Sequence, residues 1–228
     1  MEHTCNRITL RGILANIPEF SHENHGRQFY RFMLEVYRLS GAVDTLPIVA
    51  PRHIIDALDP TAGSMIYVEG QIRSHNVRDE KGRHLMIFVF ANVVEVQEGE
   101  PENCVYLSGP LCREPTYRKT PLGREICDVM LSIPRPFHRA DYLPCILWGK
   151  IAQHVSRLHT GNVLYVEGRL QSRITPNSPT KVPLSAPPMK FLLSPPNPCR
   201  RMATRISRHP PKPSRKLLNH TIRHLAPL

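Results

Sequence analysis

The tetrapeptide Tyr67-Val68-Glu69-Gly70 occurs a second time in this chain, as Tyr165-Val166-Glu167-Gly168. The repetition extends toward the N-terminus. With an offset of 97 residues and no gap, positions 6–47 match positions 103–144 at 13 of 42 places. Average composition gives about two or three chance identities in such a window. The sequence therefore contains one structural unit written twice, which is typical of a tandem duplication.

Each copy predicts the same order of elements. Apolar residues alternate with others along 30–36 and along the equivalent stretch 127–133, a period typical of a strand with one buried face. The patterns on either side predict a first strand ahead of Gly12 and Gly109, a third strand at 46–48 and 142–148, a helix that ends at Gly63 or Gly161 with a left-handed C-cap, and a fourth strand at 65–74 and 163–172.

Unit one continues with a charged turn at 78–82 and a fifth strand at 84–96. Three strands, a helix and two strands form the order of the oligonucleotide-binding (OB) barrel. We therefore predict an all-β protein with one short helix per unit, built from two tandem OB-fold barrels. Unit one spans 1–98 and unit two spans 103–173. The fifth strand of unit two is expected at 182–194, but Pro183, Pro187 and Pro188 exclude a strand interior there.

The formal net charge of +11 is concentrated behind these units. Residues 174–228 contain ten Lys/Arg, no Asp or Glu, and 12 of the 23 prolines. Residues 1–173 hold 20 basic and 19 acidic residues, a balance of 20 − 19 = +1. This composition predicts a disordered basic, Pro-rich tail at 174–228. Because acidic residues vanish where the repeat breaks, out-of-frame translation after residue 173 is an alternative explanation of the tail.

Composition also bears on the cellular setting. The longest apolar run, 85–91, is far shorter than the roughly 18 residues that a membrane span needs. The first residues, Met1-Glu2-His3-Thr4-Cys5, lack the basic head and apolar core of a signal peptide. We therefore expect a cytoplasmic protein that does not contact a membrane.

The sequence offers little for catalysis or metal binding. The six cysteines show no C-x₂-C pair, and His22-Glu23-Asn24-His25 has H-x₂-H spacing in a turn-like stretch that we predict to be a loop. Cys127 and Cys145 fall on strands and are expected to be small buried residues. There is no Gly-rich phosphate loop and no G-x-S-x-G motif. We predict no enzyme activity, no cofactor and no metal.

Unit two resembles the bacterial single-stranded DNA-binding protein family. The motifs are Leu107-Ser108-Gly109, Glu114-Pro115, Gly123-Arg124, Leu147-Trp148-Gly149-Lys150-Ile151-Ala152 and Tyr165-Val166-Glu167-Gly168-Arg169-Leu170. Unit one is similar to the family through fewer residues, among them Leu10-Arg11-Gly12 and Val68-Glu69-Gly70-Gln71-Ile72.

The resemblance implies a groove in which aromatic rings stack on bases and Lys/Arg residues follow the backbone. Its stacking positions fall on Trp148, Tyr142 and Phe137. Strand alternation places Trp148 on the face opposite to Leu147, and which of the two faces is exposed stays open at this point. The equivalent places in unit one are Pro51, Thr45 and Ser40, so that unit is expected to lack this mode of contact. The nearby cationic candidates are Arg118, Lys119, Arg124, Arg135, Arg139, Lys150 and Arg169.

The resemblance implies non-catalytic binding and protection of single-stranded DNA in replication, recombination or repair, at the bacterial nucleoid. By analogy with relatives that assemble four barrels, two copies of this chain would form a homodimer. Family members end in an acidic tip that recruits replication or repair proteins, whereas this sequence ends Leu225-Ala226-Pro227-Leu228, which leaves such partners open. One alternative is an accessory module that binds proteins or RNA, and another is a damaged, frameshifted copy of such a protein.

Overall fold

The structure, a computed structural model, describes residues 5–58, 61–79, 82–172 and 206–207, and it is mostly β. The helices are α1 (Arg52–Asp56) and α2 (Lys150–Val155). The strands are β1 (Asn6–Leu14), β2 (Glu19–Asn24), β3 (Arg27–Tyr37), β4 (Val43–Pro51), β5 (Met65–Asp79), β6 (Gly82–Val96), β7 (Glu102–Pro110), β8 (Thr116–Lys119), β9 (Glu125–Arg135), β10 (Arg139–Trp148), β11 (Val163–Gly168) and β12 (Ile206–Ser207).

In unit one the five long strands close on themselves. They follow the order β1-β5-β6-β4-β3, and β3 returns to β1 through the pairs Ile13–Glu35 and Leu14–Leu34. All contacts in this ring are antiparallel except that of β4 with β6, which is parallel. Strand β6 therefore fills the place between β5 and β4 and leaves no open seam.

The predicted alternation decides which face of each strand lies inside. Phe32, Leu34 and Val36 of β3 are at most 2% exposed, and their equivalents Val129, Leu131 and Ile133 of β9 are at most 1% exposed. The glycine that the repeat places before each of these strands is required for a steric reason. A Cβ atom at Gly12 would lie 2.3 Å from the carbonyl oxygen of Glu35, and one at Gly109 would lie 2.5 Å from that of Ser132. Only glycine allows the two strands to cross this closely in either unit.

Unit two repeats this arrangement, but the residues that the structure describes contain no fifth strand that closes it. Strands β8, β9 and β10 form a three-stranded sheet, and β7 pairs with β11 in the other sheet. Within the described ranges no strand connects β11 to β10. Ile206 and Ser207 pair with Leu164 and Val163, which sets Ile206 opposite Leu164 as Val96 lies opposite Ile66 in unit one. The rest of the predicted tail lies outside the described residues.

The helices are shorter than predicted, and the prediction that Gly63 and Gly161 cap them is wrong. Ala152 and Val155 of α2 are buried, whereas Ile151 is 43% exposed. Gly63 and Gly161 do not cap the helices, which end at Asp56 and Val155. These glycines lie in later turns at φ values of 91° and 90°, where their N–H groups donate to Leu14 and Leu111 carbonyls. They tie each helical connection back to the first strand.

Two short strands, β2 and β8, were not predicted. Each pairs with the strand that follows it and extends the sheet outside the barrel ring. The stretch 22–25, predicted as a loop, holds the end of β2 and a turn at His25, whose φ is 49°. In the part of the chain that the structure describes, neither helix is long and apolar enough to cross a membrane.

The units are joined through their first strands. β1 and β7 pair antiparallel from Asn6–Leu107 to Arg11–Glu102, so the two units share one nine-stranded sheet. Equivalent hydrogen bonds support the two strands. The Asn6 side chain donates to the carbonyl and accepts from the N–H of Ile72, and the Asn103 side chain does the same with Leu170.

Two fully buried carboxylates, Asp44 and Asp141, accept hydrogen bonds across this junction. Asp141 accepts hydrogen bonds from the Ser74 N–H of unit one (2.8 Å), Arg73 Nη1 (3.0 Å) and Arg135 Nη1 (3.2 Å). Asp44 accepts from the Ser172 N–H of unit two (2.9 Å) and from Arg38, whose pKa this contact raises. Each buried charge therefore bonds both to its own unit and to the other one.

Replacing Asp141 with Asn should destabilise the protein by about 3 kcal/mol, because Arg73 and Arg135 lose the charge that compensates their partial burial. Urea unfolding followed by far-UV circular dichroism measures this change. The matched control is Asp56→Asn, which removes an exposed ion pair with Arg52 (3.1 Å) and should cost less than about 1 kcal/mol. Equal effects of the two substitutions would contradict a structural role for the junction.

Candidate nucleic-acid interface

Strand β10 presents an alternating surface. Leu143, Cys145 and Leu147 are at most 5% exposed and face the core of unit two. Successive side chains of a strand point to opposite faces, so Tyr142 and Trp148 lie on the outer face. Tyr142 is 46% exposed, and Trp148 is half-buried.

Trp148 sits in a rung that crosses three strands. It pairs with Ile126 of β9, which in turn pairs with Arg118 of β8. Ile126 is 2% exposed and does not belong to the main hydrophobic core, so this outer face has an apolar patch of its own. The indole Nε1 of Trp148 is buried and has no hydrogen-bond partner among the described residues. Trp148 is thus held by an apolar neighbour while its single donor is unused.

Tyr142 lies at the junction of the units. Its backbone N–H donates to Ser74 Oγ of unit one at 2.8 Å, and it follows the buried Asp141 in β10. The outer face of β10 therefore adjoins unit one in space, and Tyr142 is the aromatic side chain at that border.

Phe137 lies at the tip of the hairpin between β9 and β10. It is 91% exposed, and both Phe137 and His138 have left-handed backbone conformations, with φ of 62° and 55°. This conformation costs a residue with a Cβ roughly 1–2 kcal/mol. A large apolar ring is thus displayed to solvent on a strained turn, and such strain concentrates at functional sites.

The predicted cations fall into two groups. Arg124, Arg139 and Lys150 are exposed and have no acidic partner among the residues that the structure describes. Arg139 opens β10 close to Phe137, and Lys150 follows Trp148 by two residues. Their charges are available to an anionic ligand on this face.

The other cations are engaged or lie elsewhere. The carboxylate of Asp128 binds Arg118 Nε at 2.6 Å and raises the pKa of Arg118, whereas Lys119 lies 3.9 Å from Glu125. Arg135 is held by Asp141. Arg169 follows β11 in the nine-stranded sheet, so the structure does not bring it to the β8–β10 face. These four residues offer less charge to a ligand there than the sequence suggests.

The cysteines of this region are inert. Cys127 and Cys145 are buried as predicted, and burial raises the pKa of their thiols to about 11 and about 12, which keeps them protonated. Across the described ranges, no group of three His, Cys, Asp or Glu side chains is placed to hold a metal ion.

Sequence reasoning missed the junction residues Asp141, Arg73 and Ser74. The sequence does contain one indication of these residues. The pair Asp44 and Asp141 is identical between the two copies of the repeat, and so is the pair Arg38 and Arg135. That signal indicates a shared structural role, but it does not show that each carboxylate reaches across to the other unit.

Comparisons with known proteins agree with this geometry. Residues 102–183 match the model of the Single-strand binding protein family. The chain is 36% identical over 83 residues to a single-stranded DNA-binding protein of Halalkalibacterium halodurans, a match covering 33% of this chain and 49% of the relative. It is 36% identical over 78 residues to single-stranded DNA-binding protein 3 of Listeria innocua, covering 31% of this chain and 49% of that relative. The chain thus spans about half the length of these relatives.

Among solved structures, the wild-type single-stranded DNA binding protein from Thermus aquaticus superposes with a TM-score of 0.65 at 23% identity. The match covers 81% of this chain and 97% of that one. A deletion mutant of the same protein gives a TM-score of 0.63 at 24% identity, over 76% and 89% of the two chains. This likeness extends over both units and shows a shared fold. The predicted resemblance to the bacterial single-stranded DNA-binding protein family is therefore confirmed, and residues 102–183 carry the sequence pattern of that family.

Proposed function

We propose that this protein binds and protects single-stranded DNA without catalysis, in replication, recombination or repair, through the outer face of β8, β9 and β10. The observation that carries the proposal is the arrangement of Trp148, Tyr142 and Phe137 on and beside β10, with Lys150 and Arg139 unpaired next to them. The relatives are named for single-stranded DNA binding, and the family match at residues 102–183 covers the strands that form this face.

The residue types fit unpaired nucleotides. Every base has a π face, and stacking on an aromatic ring contributes about 1–3 kcal/mol per base without reading sequence. Lys150, Arg139 and Arg124 would neutralise phosphates, which makes the affinity depend on salt. A duplex hides its base faces, so this surface should favour single strands. Arg118, Lys119 and Arg135 would have to exchange an acidic partner for a phosphate, and Arg169 would contribute from outside this face.

We further propose that the chain is organised as two tandem OB barrels, 1–98 and 103–173, followed by a separate tail at 174–228. Support comes from the closed ring of unit one, in which β4 and β6 run parallel as in an OB barrel. Further support comes from unit two, where β7, β9, β10 and β11 repeat the ring strands β1, β3, β4 and β5. The family match ends at residue 183, near where a fifth strand of unit two would begin. The frameshift hypothesis concerns residues outside the described ranges and stays a prediction.

We also propose that two copies associate so that four barrels act together. The proposal is made by analogy with family members that assemble four barrels, since one copy of this chain supplies two.

Replacing Trp148 with Ala should weaken oligo-dT binding by about 1–3 kcal/mol through lost stacking, and Tyr142→Ala should weaken it somewhat less. Titration by fluorescence anisotropy of a labelled oligonucleotide measures both, with duplex DNA as the weaker ligand. Trp148→Phe keeps an aromatic ring and should retain most of the affinity. Phe20→Ala, which removes a ring that is 54% exposed on unit one and lies outside this face, is the matched control and should change little.

The wild-type protein offers a direct check of the same site. Trp148 is the only tryptophan, so its emission should be quenched when a single strand stacks on it. Unchanged emission at saturating oligo-dT would reject Trp148 as a contact.

Substituting Phe137 with Asn separates stability from binding. Asn tolerates the left-handed conformation better than Phe, so the melting temperature should stay the same or rise. Binding of oligo-dT should weaken by about 1 kcal/mol or more, because the exposed ring is lost. Calorimetry and an anisotropy titration measure the two quantities. A melting temperature that falls together with the affinity would indicate that Phe137 serves the fold instead.

Sedimentation equilibrium tests the association. A mass of twice the 26.0 kDa chain is expected. A monomer at all concentrations would contradict the dimer.

A further inference from the structure

A row of planar side chains crosses the outer face of unit one. His22 of β2 stacks on Phe29 of β3, with ring centroids 4.9 Å apart and planes 13° from parallel. Phe29 contacts Phe90 of β6 at 6.0 Å, and the guanidinium of Arg73 on β5 lies 5.9 Å from the Phe90 ring. Phe29 and Phe90 are only half-buried. Strands β2, β3, β6 and β5, with β4 between β3 and β6, thus contribute to one partly exposed aromatic and cationic surface.

The position of Phe29 parallels that of Trp148. In unit two Trp148 pairs with Ile126, and in unit one the equivalent rung joins Pro51 to Phe29. Each unit therefore carries one aromatic and one aliphatic residue at this rung, on opposite strands. Comparing equivalent positions alone leads to Pro51 and predicts no stacking in unit one. The strand register shows that an aromatic ring is present there after all.

A wide groove opens over this rung. Its volume is about 930 Å³, and Phe29, Phe90 and Pro51 form part of its wall. The polar side chains around it include Arg27, Arg52, His53, Glu23 and Asp56. Asp56 is paired with Arg52, at 3.1 Å, whereas Arg27 is exposed and has no acidic partner among the described residues. The groove combines ring faces with a free cation.

The row leads to the junction with unit two. Arg73 lies over Phe90 and also binds Asp141 of β10 at 3.0 Å. Ser74, the next residue, accepts the N–H of Tyr142. A second groove of about 210 Å³ lies at this border and is lined by Gln71, Arg73, Arg135 and Pro136 among others. The aromatic surface of unit one therefore adjoins the Tyr142 end of the face on unit two.

We propose that the groove lined by Phe29, Phe90 and Arg27 is a second site for unpaired nucleotides, so that one single strand runs across the junction from unit two onto unit one. The inference rests on the proposed function, because it extends the same ligand from the β10 face. Bases stack on the exposed parts of the Phe29 and Phe90 rings, and Arg27 binds a phosphate. Arg73 links the two faces, since its guanidinium contacts both Phe90 and Asp141.

Binding of oligo-dT of two lengths tests this site in the full-length chain. An OB barrel covers about 4–16 nucleotides, so a strand of about 8 should fit on unit two alone and one of about 30 should reach both units. Phe29→Leu and Arg27→Gln should each weaken binding of the long strand roughly tenfold and leave the short strand unchanged, as followed by quenching of Trp148. Arg27→Gln should also flatten the salt dependence for the long strand only.

A matched control lies in the same hairpin. Phe20 is 54% exposed and contacts Tyr30, on the face opposite to His22 and Phe29. Phe20→Leu also removes an exposed ring from unit one and should leave both affinities unchanged. Equal losses for Phe20→Leu and Phe29→Leu would overturn the proposal, because they would reflect a general effect of altering this unit.

Photo-crosslinking of the wild-type protein to a bromodeoxyuridine-substituted long strand gives a readout that needs no variant. Crosslinked peptides that contain Phe29 or Phe90 support the proposal. Crosslinks confined to peptides with Trp148, Tyr142 or Phe137 overturn it and leave the proposed function intact. Crosslinks in unit one without quenching of Trp148 support the groove and refute the proposed face on β10. Absence of crosslinks from both units contradicts both.

Discussion

The buried carboxylates at the junction fix how the two units face each other. Asp44 bonds to Ser172 and Asp141 bonds to Ser74, so each unit supplies a charge that the other helps to satisfy. A buried charge is tolerated only when its partners are well placed, and a small rotation of one unit would therefore be costly. The β1–β7 pairing sets the distance between the units, and these hydrogen bonds set their relative orientation. Because Tyr142 and Ser74 meet at this contact, the outer faces of both units become neighbours.

The junction is nearly symmetric, and the asymmetry in its ion pairs falls beside the candidate sites. Asp141 is bound by two arginines, Arg73 and Arg135, whereas within the described residues Asp44 is bound by one arginine, Arg38. The position in unit two equivalent to Arg73 is Gln171. The additional cation thus lies on the side where Phe90 and Tyr142 approach each other. The second asymmetry is the closure of unit one by β6, for which unit two has only the two-residue strand β12 in the described ranges.

Features that depend on short-range periodicity, such as the buried face of a strand, can be predicted from the sequence. Features that depend on contacts between residues far apart in the chain cannot. Alternation along 30–36 and 127–133 correctly indicates the buried faces of β3 and β9, and the repeat of Gly12 as Gly109 marks a close crossing of strands. The C-caps at Gly63 and Gly161 were wrong because a glycine with positive φ serves a turn as well as a helix end. The candidate site was predicted through Trp148 and Tyr142, whose outward direction follows from β10. Its extension through Phe29 was not, because the register that sets Phe29 opposite Pro51 is a property of the folded sheet.

The aromatic residues of the candidate face differ in how the fold holds them, and this difference bears on what each can contribute. Trp148 lies half-buried on Ile126, so little side-chain freedom remains for a ligand to remove, and stacking on it costs little ordering entropy. Phe137 is 91% exposed on a strained turn, so a ligand must order its ring before gaining from it. Phe29 and Phe90 resemble Trp148 in this respect, since neighbouring rings already hold them. Pre-ordered rings on both units, linked by Arg73, therefore favour a ligand that lies along the whole surface over one that contacts the hairpin tip alone.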